Sequence, residues 1–164
     1  MLITVDTREQ RPYCFKGIPS SITYECRREA LPTGDYMSSR AAPGESDSFA
    51  SQAIVERKTL ADLYSTASQG RRRFEAELLR MQKYGYAALI IEAQWTEIFA
   101  PNDTLRHATG MKPKAMLASL LAWSTRHRLH VHALPGRRAA ELVTFRILER
   151  WFRDGLPDSR LGGK

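Results

Sequence analysis

The sequence predicts an α/β fold, a central mixed β-sheet flanked by helices. Three observations carry that expectation. Short β-branched or alternating segments fill the first 58 residues, at Leu2–Val5, Ile22–Cys26, Asp35–Met37 and Ala53–Lys58, and such runs bounded by Gly, Pro and Ser clusters read as strands. The hydrophobic period then changes to helical, with Leu60, Leu63 and Tyr64 after Thr59 and with Phe74, Leu78, Leu79 and Met81 after Gly70. Finally, Ala87–Ile91 is a continuous apolar run, the pattern of a strand covered on both faces.

In order, Leu2–Val5 runs as a buried strand into Asp6, and Glu9–Ser21, with Pro12, Gly17 and Pro19, is a loop. The turn Leu31-Pro32-Thr33-Gly34 precedes the third strand. Residues 38–51, rich in Ser, Ala, Gly and Pro, are expected to be a mobile hairpin loop, because nothing in them buries a face. Thr59 is placed to cap the first helix, and the second runs from Gly70 to near Tyr84-Gly85. Lys112–Arg126 is helical; Leu129–Ala133 alternates as a strand with one wet face bearing His130 and His132; the last helix spans about Arg137–Arg153. With 164 residues and no internal repeat, the expectation is a single domain.

Lys and Arg number 25 against 18 Asp and Glu, a net charge of +7. Arginine supplies 19 of those 25 cations, and its planar fork pairs bidentately with phosphate, so the balance leans toward a nucleic-acid partner. No apolar run reaches the ~20 residues of a membrane helix, and the N-terminus has no secretory pattern. Two cysteines, Cys14 and Cys26, form neither a disulfide framework nor a zinc site, which fits an intracellular, cytoplasmic setting. His130 and His132 read as surface residues.

Chemistry concentrates at strand ends. Asp6 closes the first strand, Asp35 opens the third, and Glu56 lies near the end of the fourth. Grouped carboxylates repel one another unless a cation sits between them, and oxygen ligands of this kind suit Mg²⁺ or Mn²⁺. Lys58 follows Glu56 by two, so both side chains point to the same face of the strand. A metal with an adjacent ammonium is what phosphodiester hydrolysis requires.

The blocks "VDTREQRP" at 5–12, "LPTGDY" at 31–36, "IVERKTLADL" at 54–63, "GRRRFEAELLRM" at 70–81 and "LIIEA" at 89–93 resemble the nuclease domain of the XPF family. These are structure-specific DNA endonucleases of the restriction-endonuclease-like, PD-(D/E)xK fold, with a "GD…ERKxxxD" signature. By this resemblance Asp35 and Glu56 are metal ligands with the Arg57 carbonyl, Asp6 is a nearby third carboxylate, and Lys58 is the catalytic lysine. The Arg57 side chain and Asp62 complete the signature. Asp62 either orients Lys58 or Arg57 or is a helix-start carboxylate favoured by the dipole. Glu9 either belongs to the site or pairs with Arg8 or Arg11, with pairing preferred.

Arg71, Arg72 and Arg73 crowd a helix start, where the dipole disfavours cations, so they ask for an anionic partner. The family carries an arginine here, and Arg73 matches best. Arg137 and Arg138, at the start of the last helix, raise the same expectation of DNA contact. That helix carries an apolar arc of Ala140, Val143, Ile147, Leu148, Trp151 and Phe152, flanked by Leu142 and Phe145, wider than a surface helix needs. With the family's habit of dimerising, this predicts a homodimer.

The resemblance implies a divalent-metal-dependent endonuclease acting on branched, flap or fork DNA and leaving a 5′-phosphate and a 3′-hydroxyl. The helix-hairpin-helix and helicase regions common in the family are not found before the chain ends at Leu161-Gly162-Gly163-Lys164, which suggests a bacterial or phage nuclease guided by a partner protein. Two other readings stay open: a catalytically silent DNA-binding or dimerisation subunit, and another nuclease of the same fold, such as a junction resolvase.

Overall fold

The computed structural model describes residues 1–41 and 47–155. Six strands form one sheet in the order β2-β1-β3-β4-β5-β6. They are β1 (Leu2–Asp6), β2 (Glu25–Glu29), β3 (Tyr36–Ser39), β4 (Gln52–Lys58), β5 (Tyr86–Ile91) and β6 (His130–Ala133). β1 and β2 are parallel, β1–β3 and β3–β4 are antiparallel, and β4–β5 and β5–β6 are parallel. The expected mixed sheet is therefore present.

Alternation along the central strands sorts side chains into two cores. On one face Ile54, Leu89 and Ile91 pack with Leu63, Phe74, Leu78 and Trp123. These come from α1 (Leu60–Ser68), α2 (Arg71–Met81) and α5 (Pro113–His127). On the other face Val55, Ala88 and Ile90 pack with Tyr13, Phe15, Tyr36 and the α6 (Arg137–Asp154) residues Phe145 and Leu148. At β4, burial on both faces takes precedence over any polar side, hence its near-unbroken apolar start.

Helix starts follow their caps. Thr59 accepts from the Asp62 N–H, as its position before Leu60 implies. Gly110 in the left-handed region ends α4 (Asp103–Thr109).

The second strand differs from expectation. It begins at Glu25, three residues late, and all five of its residues are exposed. Tyr24, read as mid-strand, instead stacks edge-on against Phe145 at 4.8 Å and donates to the Phe15 carbonyl at 2.8 Å. An edge strand lined with Arg27, Arg28, Glu25 and Glu29 carries no burial period to read, and those charges discourage pairing with other chains. Two short helices, α3 (Trp95–Phe99) and α4, also escaped the periodicity, being too short to show one. β3 continues through Ser39, and Phe49–Ser51 forms a 3-10 turn. The rest of the expected 38–51 loop includes 42–46, which lie outside the described residues, as does the 161–164 end. Among the described residues no helix is long and apolar enough to cross a membrane.

Candidate active site

An open cleft of about 640 Å³ lies where β1, β3 and β4 meet, walled by α1 and α2. Asp35 is fixed there through its backbone. Its N–H donates to the Val55 carbonyl and its C=O accepts from the Asp6 N–H, both at 2.8 Å. The preceding Gly34 adopts φ +71°, and a Cβ there would stand 2.6 Å from Ile54 Cγ1. Only glycine fits that turn without displacing the core. Asp35 Oδ2 then accepts from the Arg57 N–H at 2.8 Å. A residue's N–H and C=O leave a strand on the same edge, so the Arg57 carbonyl faces the same side as Asp35.

Glu56 and Lys58 share the face of Ile54, as the two-residue period demands. Their side chains are 6% and 15% exposed, and the Lys58 ammonium donates to Glu56 Oε1. It also lies 5.1 Å from the Phe74 ring centre, within cation–π range. Burial raises the Asp35 carboxyl to about 6, and the neighbouring Glu9 and Glu77 add to it against the Arg57 N–H and Lys58. Burial, then repulsion from Asp35, pushes Glu56 to about 8. For Lys58, burial works against the charge, but Glu56, Glu77 and Asp35 outweigh it and hold the ammonium on.

Arg57 points the other way, with its side chain 8% exposed between two acids. Its Nε lies 3.0 Å from Glu92 Oε1 and its Nη1 3.5 Å from Glu9 Oε2. Glu92 Oε1 also accepts from Tyr13 Oη at 2.8 Å and Arg137 Nη1 at 3.3 Å. Arg57 is thus a clamp tying β4 to the N-terminal loop and α6, while its backbone serves Asp35. Glu9 does pair, but with Arg57; toward Arg11 it accepts only the backbone N–H, at 2.6 Å.

Asp6 lines the same cleft, yet its carboxylate is already engaged. It accepts from Arg8 N at 2.7 Å, from Arg8 Nε and Nη2 at 2.8 Å, and from Leu31 N at 2.8 Å. Burial alone would raise it, but those hydrogen bonds together hold it below the usual carboxylate range. The reading of Asp6 as a third metal-facing carboxylate meets an acid that ties two loops together instead. Asp62 accepts from Thr59 Oγ1 at 2.6 Å and bonds neither Lys58 nor Arg57, so the helix-start alternative describes its contacts.

Of the arginine triplet, only Arg73 lines the cleft. Arg71 folds back to Ser119 Oγ at 2.8 Å and to Glu75 at 2.9 Å, and Arg72 is exposed. Arg137 donates to the carbonyls of Arg11 and Pro12 at 2.7 and 2.9 Å, work internal to the chain. Arg138 is exposed beside Lys16–Pro19, away from the cleft lining. His130 stacks on Tyr86 at 4.4 Å.

Two acids of the site were missed in the sequence. Glu77 accepts from the Gly34 N–H at 3.4 Å and lines the cleft beside Arg73. Their i,i+4 spacing on the polar side of α2 was the available signal. Glu92 follows Ala88 and Ile90 in parity along β5, which places it on the Arg57 face.

The donor set at the cleft floor is all oxygen: the Asp35 and Glu56 carboxylates and the Arg57 carbonyl. Among the described residues no cluster of three or more His, Cys, Asp or Glu side chains is arranged for a metal. A buried carboxylate, Glu56, and a half-buried one, Asp35, whose ionisation is suppressed by their surroundings, fit a hard divalent cation, which commonly takes one or two carboxylates and keeps its waters.

A family model, the ERCC4 domain, matches residues 5–144. Among solved structures the chain is similar to XPF from Aeropyrum pernix, with 20% identity and a TM-score of 0.59, covering 93% of this chain and 64% of that one. It is also similar to XPF from Aeropyrum pernix in complex with DNA, with 21% identity and a TM-score of 0.61, covering 97% of this chain and 68% of that one. The chain therefore spans just under two thirds of the length of the first of these structures. A search of curated proteins gave no match. The structural likeness establishes a restriction-endonuclease-like fold, and with the model spanning most of the sequence this chain belongs to the ERCC4-domain family.

Proposed function

We propose that the chain is a divalent-metal-dependent DNA endonuclease that hydrolyses phosphodiester bonds in branched, flap or fork DNA and leaves a 5′-phosphate and a 3′-hydroxyl. The observation that carries this is the grouping on the cleft floor: Asp35 held by the Arg57 N–H, beside the buried Glu56–Lys58 pair. Mg²⁺ or Mn²⁺ would be held by Asp35, Glu56 and the Arg57 carbonyl. Once bound, such an ion polarises the phosphate and acidifies a water.

The chain's own residues supply the rest. Lys58, kept charged by its acidic neighbours, orients the attacking water or offsets negative charge developing on phosphate. Arg57 holds β4 in register against Glu92 and Glu9, which fixes the N–H that aims Asp35. Arg73, exposed on the cleft wall, contacts the DNA backbone and positions it. A DNA-bound XPF structure among the relatives supports this partner. We further propose a homodimer built through α6, where Tyr86, Val143, Ile147 and Trp151 line an apolar groove of about 400 Å³ and Leu142 is exposed. A targeting partner protein would direct it to its substrate.

The test is cleavage of labelled flap, fork, four-way junction, nicked, duplex and single-stranded DNA in Mg²⁺, Mn²⁺ and EDTA, with Lys58→Ala as control. Metal-dependent cutting lost in the variant supports the endonuclease, and the panel ranks substrates. Salt-sensitive binding without cutting under any condition would point to a silent subunit.

A further inference from the structure

We propose that Glu77 is a positioning residue for the cation of the cleft, accepting hydrogen bonds from the waters that the ion keeps when Asp35 and Glu56 hold it. This inference rests on the nuclease reading above and adds to it a carboxylate on the α2 wall. Glu77 lines the cleft together with Asp35, Glu56 and Lys58. Its Oε1 lies 3.4 Å from the N–H of Gly34, the residue before Asp35. Phe74, three residues earlier on α2, carries the Lys58 ammonium 5.1 Å from its ring centre. Residues three apart share a helix face. The side of α2 that bears Glu77 therefore stands over the Asp35 turn and the lysine end of β4 alike.

The other carboxylates lining the cleft each have a close partner. Asp6 has Arg8 and Leu31, Glu9 has the Arg11 N–H at 2.6 Å, and Asp35 has the Arg57 N–H at 2.8 Å. Glu56 has the Lys58 ammonium, and Asp62 has Thr59 Oγ1 at 2.6 Å. Glu77 has only Gly34 N at 3.4 Å and Thr33 Oγ1 at 3.5 Å, both on Oε1 and both longer than an ordinary hydrogen bond. Its Oε2 has no partner among the described residues. Nor does an ion pair join it to Arg73, one turn earlier on the same wall of the cleft. Glu75, on the same helix but outside the cleft, is paired with Arg71 at 2.9 Å.

This unspent charge bears on the site itself. The Glu77 carboxylate repels Asp35 and Glu56 and attracts Lys58 and Arg8. Carboxylates so grouped are relieved by a cation among them. Among the described residues no three acids are arranged to ligate a metal directly, so Glu77 acts at one remove. Mg²⁺ sheds water reluctantly and is held through one or two carboxylates with several waters. A further carboxylate that accepts from those waters orients them and adds to affinity.

Mn²⁺ binding to the whole chain is measured by EPR titration at pH 8 without DNA, with calorimetric Tm in EDTA alongside. Glu77→Gln keeps an oxygen for the Gly34 N–H and removes the charge. It is expected to weaken Mn²⁺ binding about ten-fold and to leave Tm in EDTA unchanged. Glu77→Asp, which keeps the charge, weakens binding less, and Glu75→Gln leaves it unchanged. Parent-like Mn²⁺ affinity in Glu77→Gln, where Asp35→Asn loses the ion, would overturn the role of Glu77 and leave the nuclease reading standing. A lowered Tm with unchanged affinity would make Glu77 a prop for the Gly34 turn and overturn it too. So would a second ion bound by the parent and lost in Glu77→Gln, since Glu77 would then be a direct ligand. A parent chain that binds no Mn²⁺ overturns both readings.

Discussion

Asp6 and Asp35 stand at the ends of neighbouring strands, joined by a backbone hydrogen bond of 2.8 Å, and both line the cleft. Their environments are nevertheless opposite. Asp6 receives four hydrogen bonds from Arg8 and Leu31 and is held below its usual range. Asp35 accepts a single backbone N–H, sits beside other acids and is raised to about 6. One carboxylate has its charge compensated by the fold. The other has not, and that residual demand for positive charge supports the proposed role of Asp35 in holding a cation.

The contrast breaks most sharply under substitution. Asp35→Asn or Glu56→Gln keeps side-chain shape and is expected to lower cleavage by about a thousand-fold or more, since the charge that holds the cation goes. Asp6→Asn should leave cleavage per folded molecule within a few-fold. Comparable losses at Asp6 and Asp35 in a gel assay would erase the distinction between the two acids.

Stability should follow the reverse order. Asp6→Ala strands the Leu31 N–H in a buried position and frees Arg8, for a cost of about 2–3 kcal/mol and a fall in Tm of roughly 5–10 °C by calorimetry. Asp35→Asn relieves charge burial and is expected to raise Tm of the metal-free chain at pH 8. A destabilised Asp35→Asn would contradict the strain assigned to that acid.

The pH dependence sharpens the comparison. Asp35 and Glu56 have folded-state values above their unfolded ones, so between about pH 4 and each folded value the native state binds protons that the unfolded chain releases. Their contribution is present at low pH and is lost as pH rises through about 6 and about 8. Asp6 has the opposite sign: its contribution is present above the unfolded value and is lost as pH falls through its depressed folded value. His132, lowered by burial and by His130, also favours the fold as pH rises through the histidine range. The Tm difference, Asp35→Asn minus parent, is therefore expected to grow from pH 5 to pH 8. Mg²⁺ or Mn²⁺ should shrink that difference by stabilising the parent more at pH 8 than at pH 5. A difference that is flat in pH would sink the linkage.

The smallest effect belongs to the arginines. Arg73→Ala is expected to reduce the slope of log K against log salt by about one and weaken binding alike across sequences. Arg71→Ala, its neighbour, should instead lower Tm by severing Ser119 and Glu75, with little change in salt slope. Identical behaviour of the two would show that proximity in sequence, not placement on α2, governs DNA contact.

Much of this molecule is legible in its sequence alone. Burial on both faces forces the apolar runs of β4 and β5, and the caps and period of α1, α2 and α5 follow from local chemistry. Gly34 announces the turn that aims Asp35, and the i,i+2 spacing places Glu56 with Lys58. The bounds of the edge strand β2, and helices α3 and α4 altogether, were not legible, because an exposed or five-to-seven-residue element carries no hydrophobic period. Residue type and spacing along the chain pointed to Asp6, Asp35, Glu56, Lys58, Asp62 and Arg73, all of which line the cleft, but not to Glu77. They also pointed to Arg71, Arg72, Arg137 and Arg138, which do not line it. Which of them remain available there was decided by partners distant in sequence: Leu31 and Arg8 for Asp6, Glu92 and Glu9 for Arg57, Ser119 for Arg71. Hydrogen-bond satisfaction and desolvation are properties of the packed interior, where a carboxylate's charge is set by every neighbour the fold brings to it, and no local stretch of sequence contains that sum.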